Sequence, residues 1–247
     1  MRIDILTLFP SMFSPLSESM IKRARDRGLL TVYIHDIREY TEGRHRQADD
    51  TPYGGGVGMV IKPEPIFRVA ESIIKEQETI SPTRPRVILM CPAGEKLTQE
   101  KARELSSEEH LIVICGHYEG IDERVRENLV SDEISIGDFV LTGGELPAMV
   151  LIDAVARLIP GVVKEEESLR QESFYEGLLD FPSYTRPEEF KGTKVPKILF
   201  SGHHEEISRW RRRQSLKRTL FQRPELLAKA DITLEDKELL KEIISGE

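Results

Sequence analysis

Val87-Ile88-Leu89-Met90-Cys91 and Leu111-Ile112-Val113-Ile114-Cys115 decide the fold class, because each run is apolar at every position. A strand with one face in water alternates apolar and polar residues. A strand in a parallel sheet covered by helices on both faces has no need to. Working outward, Ile3 to Phe9 and Leu30 to Ile37 read as two more strands. Between them Pro10-Ser11 leads into a helical stretch that stops at Gly28, where a helix ends naturally. Further helices are predicted from Pro65, where Ile66, Val69, Ala70, Ile73 and Ile74 keep helical spacing, around Thr98 to Ser107, at Asp122 to Leu129 and at Pro147 to Leu158. Strands alternating with helices make this an α/β fold on a parallel sheet.

Two regions escape the alternation. Tyr40 to Gly58 is polar, glycine-rich and without period, so it is expected to be a long functional loop. After Pro160-Gly161 the charged stretch Lys164 to Glu172, then Gly177, Pro182, Pro187 and Gly192, read as a linker. Beyond it Glu205 to Phe221, Pro224 to Ala230 and Leu234 to Ile244 read as helices, the last opened by Thr233 with Asp236 three residues on, a variant of the capping box. The predicted organisation is an α/β domain over 1–160, a linker over 161–187 and a small all-helical domain over 188–247.

Composition narrows the function. At 247 residues and 39% hydrophobic the chain can bury a large core. The start Met1-Arg2-Ile3-Asp4-Ile5 is no signal peptide and no apolar stretch approaches membrane-spanning length, so a cytoplasmic protein without membrane contact is expected. Cys91 and Cys115 form neither a zinc pattern nor a disulfide framework, and are read as small residues at strand ends. The net charge of -8 offers a nucleic acid nothing in bulk. Locally the sign inverts: Arg209, Arg211, Arg212, Arg213, Lys217, Arg218 and Arg223 lie between Ser208 and Pro224 with no acidic residue among them. Such a run is commonly a solvated helix face, but beside Trp210 and the turn Gly202-His203-His204 it points towards RNA phosphates.

Three glycine-rich turns carry the rest: Thr51 to Gly58, Cys115 to Gly120, and Ile136 to Glu145. Ligands of α/β proteins bind beyond the carboxyl ends of the strands, where the second and third turns would meet Cys91-Pro92-Ala93-Gly94. One such turn alone is usually only a turn. Their convergence predicts a single pocket. Neither the P-loop pattern nor the Gly-x-Gly-x-x-Gly spacing is met, which disfavours an ATPase or a Rossmann dehydrogenase.

Together these segments resemble the TrmD family of bacterial tRNA (guanine-N(1)-)-methyltransferases, in the SPOUT class, over nearly the whole chain. The resemblance is carried by Leu8-Phe9-Pro10, Pro52-Tyr53-Gly54-Gly55-Gly56, Gly116-His117-Tyr118-Glu119-Gly120-Ile121-Asp122-Glu123-Arg124, Ser135 to Pro147, Tyr184-Thr185-Arg186-Pro187 and Ser201-Gly202-His203-His204. It implies a deep trefoil knot, which general threading rules argue against. It implies S-adenosylmethionine as methyl donor, held by Leu89, Met90, Cys91, Pro92, Gly116, Tyr118, Glu119, Ile136, Gly137, Phe139, Leu141, Gly143, Gly144 and Pro147. A homodimer with the active site at the subunit interface, the tRNA anticodon stem-loop as partner, and magnesium follow from the same resemblance. Arg44, His45, Arg46 and Asp50 would flank the target base, while Arg209, Arg211, Arg212, Arg213, Lys217 and Arg218 grip the anticodon branch.

The implied reaction is methylation of N(1) of guanosine 37. That nitrogen carries a proton and is a poor nucleophile until a base takes it. The family uses an aspartate before a Ser-Phe pair. Here Glu172 precedes Ser173-Phe174, a longer arm with the same chemistry. Arg157 matches the arginine that would stabilise charge developing on the guanine carbonyl oxygen. Leu89, Cys91 and Phe139 also depart from the commoner tyrosine, serine and tyrosine. Another SPOUT-class RNA methyltransferase, or a catalytically inactive RNA-binding adaptor, are the competing readings.

Overall fold

Five parallel strands form the scaffold of the N-terminal half: β1 (Arg2–Thr7), β2 (Thr31–Asp36), β5 (Arg86–Lys96), β6 (His110–Cys115) and β7 (Asp132–Ser135), in the order β2-β1-β6-β5-β7. The computed structural model describes residues 1–164 and 169–246, and the chain divides into two compact units, Met1–Lys164 and Glu165–Glu247. Part of the charged stretch read as a linker, 165–168, lies outside the described residues.

Helices α1 (Ser19–Asp26), α2 (Pro63–Glu78), α3 (Gln99–Ser106), α4 (Glu123–Leu129) and α5 (Glu145–Ala156) cover both faces of this sheet. In β6, Leu111, Val113 and Cys115 join a core with Leu151, Ile152 and Val155 of α5, whereas Ile112 and Ile114 join Ile66, Val69 and Ile73 of α2 and Val125 of α4. All six β6 residues are buried, which is why the run shows no alternation. Each large apolar side chain so buried contributes roughly 1.5–3 kcal/mol.

Three local readings change. The stretch expected as one helix before Gly28 is a 3-10 helix, Pro10–Ser17, followed by α1. Pro15 lacks the N–H an α-helix needs there and Glu18 is extended. The Tyr40–Gly58 region is irregular apart from β3 (Asp49–Asp50), which pairs antiparallel with β4 (Val60–Ile61). Strand β7, unforeseen, pairs with β5 across a register shift between Met90 and Glu95. The detour brings the two backbones so close that a Cβ on Gly94 would sit 2.3 Å from the carbonyl carbon of Glu133.

Away from those edges, Asp4 is fully buried. His110 Nε2 lies 2.7 Å from one of its oxygens and His35 Nε2 2.6 Å from the other, with Arg2 Nε at 2.7 Å. Burial alone would raise this carboxyl, but these partners outweigh it and hold the group far below its ordinary range.

The second unit is not all-helical as expected: beside helices α6 (His204–Gln222), α7 (Pro224–Leu227) and α8 (Leu234–Ser245) it contains a short hairpin, β8 (Glu189–Phe190) with β9 (Thr193–Lys194), turned by Lys191 and Gly192 at positive φ. Its core joins Leu178 to Leu216 of α6 and Leu239 and Ile243 of α8. Thr233 and Asp236 form the expected capping box. Asp236 also receives Arg212 Nε and Nη2 at 2.8 and 2.9 Å. That pairing, chiefly, lowers its carboxyl from 3.8 to about 2. A depressed folded-state value stabilises fully above the unfolded value and is lost as pH falls through the folded one, so this contact is complete above pH 3.8 and vanishes towards about 2. It is worth on the order of 2 kcal/mol. Thermal melts from pH 5 to 2 should show Arg212→Gln losing less stability over that window than the parent. Parallel losses would mean that the pair is not the source.

Candidate functional site

Strands β5, β6 and β7 end at one edge, and the segments that follow them enclose a cavity of about 340 Å³, within the range of small-molecule sites. Its wall includes Leu89, Met90, Cys91 and Pro92 within β5, at and before its register shift, Gly116, Tyr118 and Glu119 after β6, Ile136, Gly137, Phe139, Leu141, Gly143 and Gly144 after β7, and Pro147 in the first turn of α5. All fourteen residues singled out for a cofactor therefore meet in one place.

Close backbone contact builds the wall. His117 and Gly143 form an antiparallel bridge, and the Gly144 N–H donates to the Gly116 carbonyl at 2.7 Å. A Cβ on Gly144 would lie 2.8 Å from Cys115 Cα and 2.9 Å from Gly116 N, so only glycine fits. Tyr118 holds a left-handed backbone at φ 57°, a strained conformation of the kind that accumulates at functional sites. The polar loop reaches the same edge: the Glu119 N–H donates to the Met59 carbonyl and the Ile61 N–H to the Gly120 carbonyl.

The chemistry of the wall is mixed. Ile134, Ile136, Phe139, Val140 and Leu141 present apolar surface, and Val140 is 83% exposed. Arg126 reaches Glu133 at 3.1 Å through one guanidinium nitrogen, and its buried Nε lies 3.4 Å from Glu123 without a formal hydrogen bond. His117 packs between Phe9 and Tyr118, with ring centroids at 4.8 and 4.7 Å, and its Nδ1 is likewise buried and unpartnered there. An unpartnered buried ring nitrogen in this wall suits a ligand with polar groups of its own. Nearby, buried Glu145 opens α5 and accepts a hydrogen bond from Thr7 Oγ1 at 2.8 Å, where the helix dipole favours its charge. Burial, with the Glu145 charge second, pushes the Cys115 thiol well up; burial also raises Cys91, whose thiol donates to Glu133. Both are poor nucleophiles.

Sequence reasoning passed over Phe9, Thr7, His117, Arg126 and Glu145. His117 and Glu145 stood inside the glycine-rich motifs, but nothing local revealed that Thr7 and Phe9 would fold against them.

The remaining candidates lie elsewhere. Arg157 is the half-buried C-cap of α5. Arg44, His45, Arg46 and Asp50 are exposed; Asp50 accepts from the Thr51 N–H and lies 3.4 Å from Lys62, contacts that lower its carboxyl in that order. Glu172 is half-buried in the second unit, beside a cavity of about 290 Å³ shared with Arg170, Arg211 and Arg212. The basic run on α6 is less bare than its sequence suggests. Arg209 and Arg213 lie 3.3 and 3.8 Å from Glu242, Arg218 lies 2.9 Å from Asp180, and Arg212 is held by Asp236 and Glu176. Arg211 stacks on Phe181 at 4.8 Å and Lys217 is exposed. Acids distant in sequence thus neutralise part of the run.

A family profile described as tRNA (Guanine-1)-methyltransferase TrmD matches residues 1–229. Three relatives are each named tRNA (guanine-N(1)-)-methyltransferase. That of Pelotomaculum thermopropionicum is 57% identical over 100% of this chain and 97% of its own. The Halalkalibacterium halodurans protein is 55% identical over 98% of each, and the Dictyoglomus turgidum protein 54% over 98% of this chain and 96% of its own.

Proposed function

This chain belongs to the TrmD family and is a tRNA (guanine-N(1)-)-methyltransferase; we propose that its methyl donor is S-adenosylmethionine and its target guanosine 37, beside the anticodon. The observation that carries the donor assignment is the single cavity assembled from three strand-end loops. Its apolar side suits an adenine ring, its unpartnered His117 Nδ1 and the Arg126 guanidinium suit the polar groups of a nucleoside and an amino acid, and its glycines admit close backbone approach. When bound, S-adenosylmethionine supplies an electrophilic methyl group on a sulfonium.

The chain's own residues do the remaining work. Glu172 takes the N(1) proton of guanine as the methyl arrives, which leaves the nitrogen lone pair free to attack. Arg157 donates hydrogen bonds to the carbonyl oxygen, where negative charge gathers. The walls orient donor and acceptor and exclude water, which lowers the barrier without a covalent enzyme intermediate. Among the described residues no three His, Cys, Asp or Glu side chains gather as metal ligands.

The same reading divides the chain into a donor-binding domain over 1–160, a linker over 161–187 and an RNA-binding helical domain over 188–247, in a cytoplasmic protein. Among the described residues no helix is long and apolar enough to cross a membrane. The same reading gives the first domain a trefoil knot, in which Gly143-Gly144 would pack against the end of β6 as closely as they do. A homodimer completing the active site is supported by Leu146 and Val150, one turn apart on α5 and each about half exposed at 47% and 48%.

Labelled S-adenosylmethionine should be offered to two unmodified tRNA transcripts, one with guanosine at 36 and 37 and one with adenosine at 37. Labelled N(1)-methylguanosine from the first alone is expected. Label in another nucleoside, or from both transcripts, would reassign the target.

A further inference from the structure

Tyr184-Thr185-Arg186-Pro187 is a sequence motif to which the reaction gives no task, and it borders a cavity of about 370 Å³ that it shares with the β8–β9 hairpin. The hairpin pairs Glu189 with Lys194 and Phe190 with Thr193. Its turn residues Lys191 and Gly192 both have positive φ, 50° and 80°, the signature of a tight two-residue hairpin. Phe190 is left 64% exposed and belongs to none of the hydrophobic cores. Lys191 Nζ hangs 5.4 Å over its ring, and Lys194 stands on the neighbouring strand 3.4 Å from Glu189. Tyr184, in the same cavity wall, is 47% exposed, and its ring centroid lies 6.5 Å from that of Trp210 on α6.

Two exposed aromatic rings, one with an ammonium group above one of its faces and the other face left open, are the chemistry that receives an unpaired nucleotide. A ring offers a stacking face to any base, and a lysine beside it meets the adjoining phosphate. A protein or lipid partner would favour a broad apolar patch instead. We propose that an unpaired base of the tRNA substrate stacks on Phe190 within this cavity, with Tyr184 in the same wall and Lys191 at the phosphate. The proposal rests on tRNA being the substrate and adds a contact separate from the donor cavity.

The test is equilibrium binding of the unmodified two-guanosine transcript to the full-length protein without methyl donor. Phe190→Ala and Phe190→Leu should each weaken binding about tenfold, ~1.4 kcal/mol, while Phe190→Trp keeps the parent's affinity. Lys191→Gln should make the salt dependence shallower by about one in logarithmic slope. Donor binding, measured by calorimetry, should be the same in all four. Unchanged affinity in Phe190→Ala, or full affinity in Phe190→Leu, would overturn stacking. A change in sedimentation mass in Phe190→Ala would overturn it in favour of a contact between copies of the chain. A parent that binds the donor and not the transcript would instead sink the tRNA reading itself.

Discussion

Glu172→Gln is expected to bind methyl donor and tRNA as the parent does and to transfer the methyl group about 10²–10⁴ times more slowly, the usual contribution of a positioned general base. The amide keeps the shape of the side chain and loses the ability to accept the N(1) proton. Single-turnover transfer with pre-bound tRNA separates the chemical step from binding. Glu172→Asp, which restores the residue common in the family, should recover most of the rate if reach matters little. A glutamine variant with parental single-turnover rate would remove Glu172 from the chemistry, and one that lost tRNA affinity instead would make it a binding residue. The half-buried setting in a cavity wall shared with Arg170, Arg211 and Arg212 makes the outcome informative, because a side chain there has a structural occupation available to it as well.

Gly144→Ala should damage the protein by a different route. Its backbone, at φ -81°, is one that alanine adopts easily, so conformation is not the obstacle. Space is: the new methyl would press on Cys115 Cα at 2.8 Å and Gly116 N at 2.9 Å, both main chain. Either α5 retreats from β6 or the hydrogen bond from Gly144 to Gly116 breaks, at about 1–3 kcal/mol for overpacking of this kind. The same movement opens the donor cavity, and calorimetry should show S-adenosylmethionine affinity down by roughly 10–100-fold. Gly116→Ala provides the comparison for stability, since its added carbon meets nothing nearer than 3.9 Å. Equal melting temperatures and equal donor affinity for Gly144→Ala and the parent would show that the two loops part without cost.

The scaffold was legible where burial leaves a mark on composition. β5 and β6 announce themselves because both faces are covered, and α2 because its buried residues repeat with helical period. β7 was not legible. Asp132-Glu133-Ile134-Ser135 is a short edge strand, and its acids pair with Arg86, 46 residues earlier, at 2.6 Å and with the nearby Arg126 at 3.1 Å. The donor loops could be picked out through glycine and through family resemblance, and they do share a cavity. What the sequence hid was pairing at a distance. Thr7 beneath Glu145, and Glu176, Asp180, Asp236 and Glu242 around the arginines of α6, are contacts that no window of local sequence contains.

The strand order also sets a timetable for the growing polypeptide. β1 has two neighbours, β2, which leaves the ribosome soon after it, and β6, whose His110 registers with Arg2. At bacterial elongation speeds the interval between Arg2 and His110 is roughly 5–20 s. Throughout it Ile3, Ile5 and Leu6, all fully buried in the finished protein, have only half their sheet to hide in. A nascent chain arrested before His110 should therefore be a strong client for chaperones that hold exposed apolar strands, and one released beyond Ala156 should not.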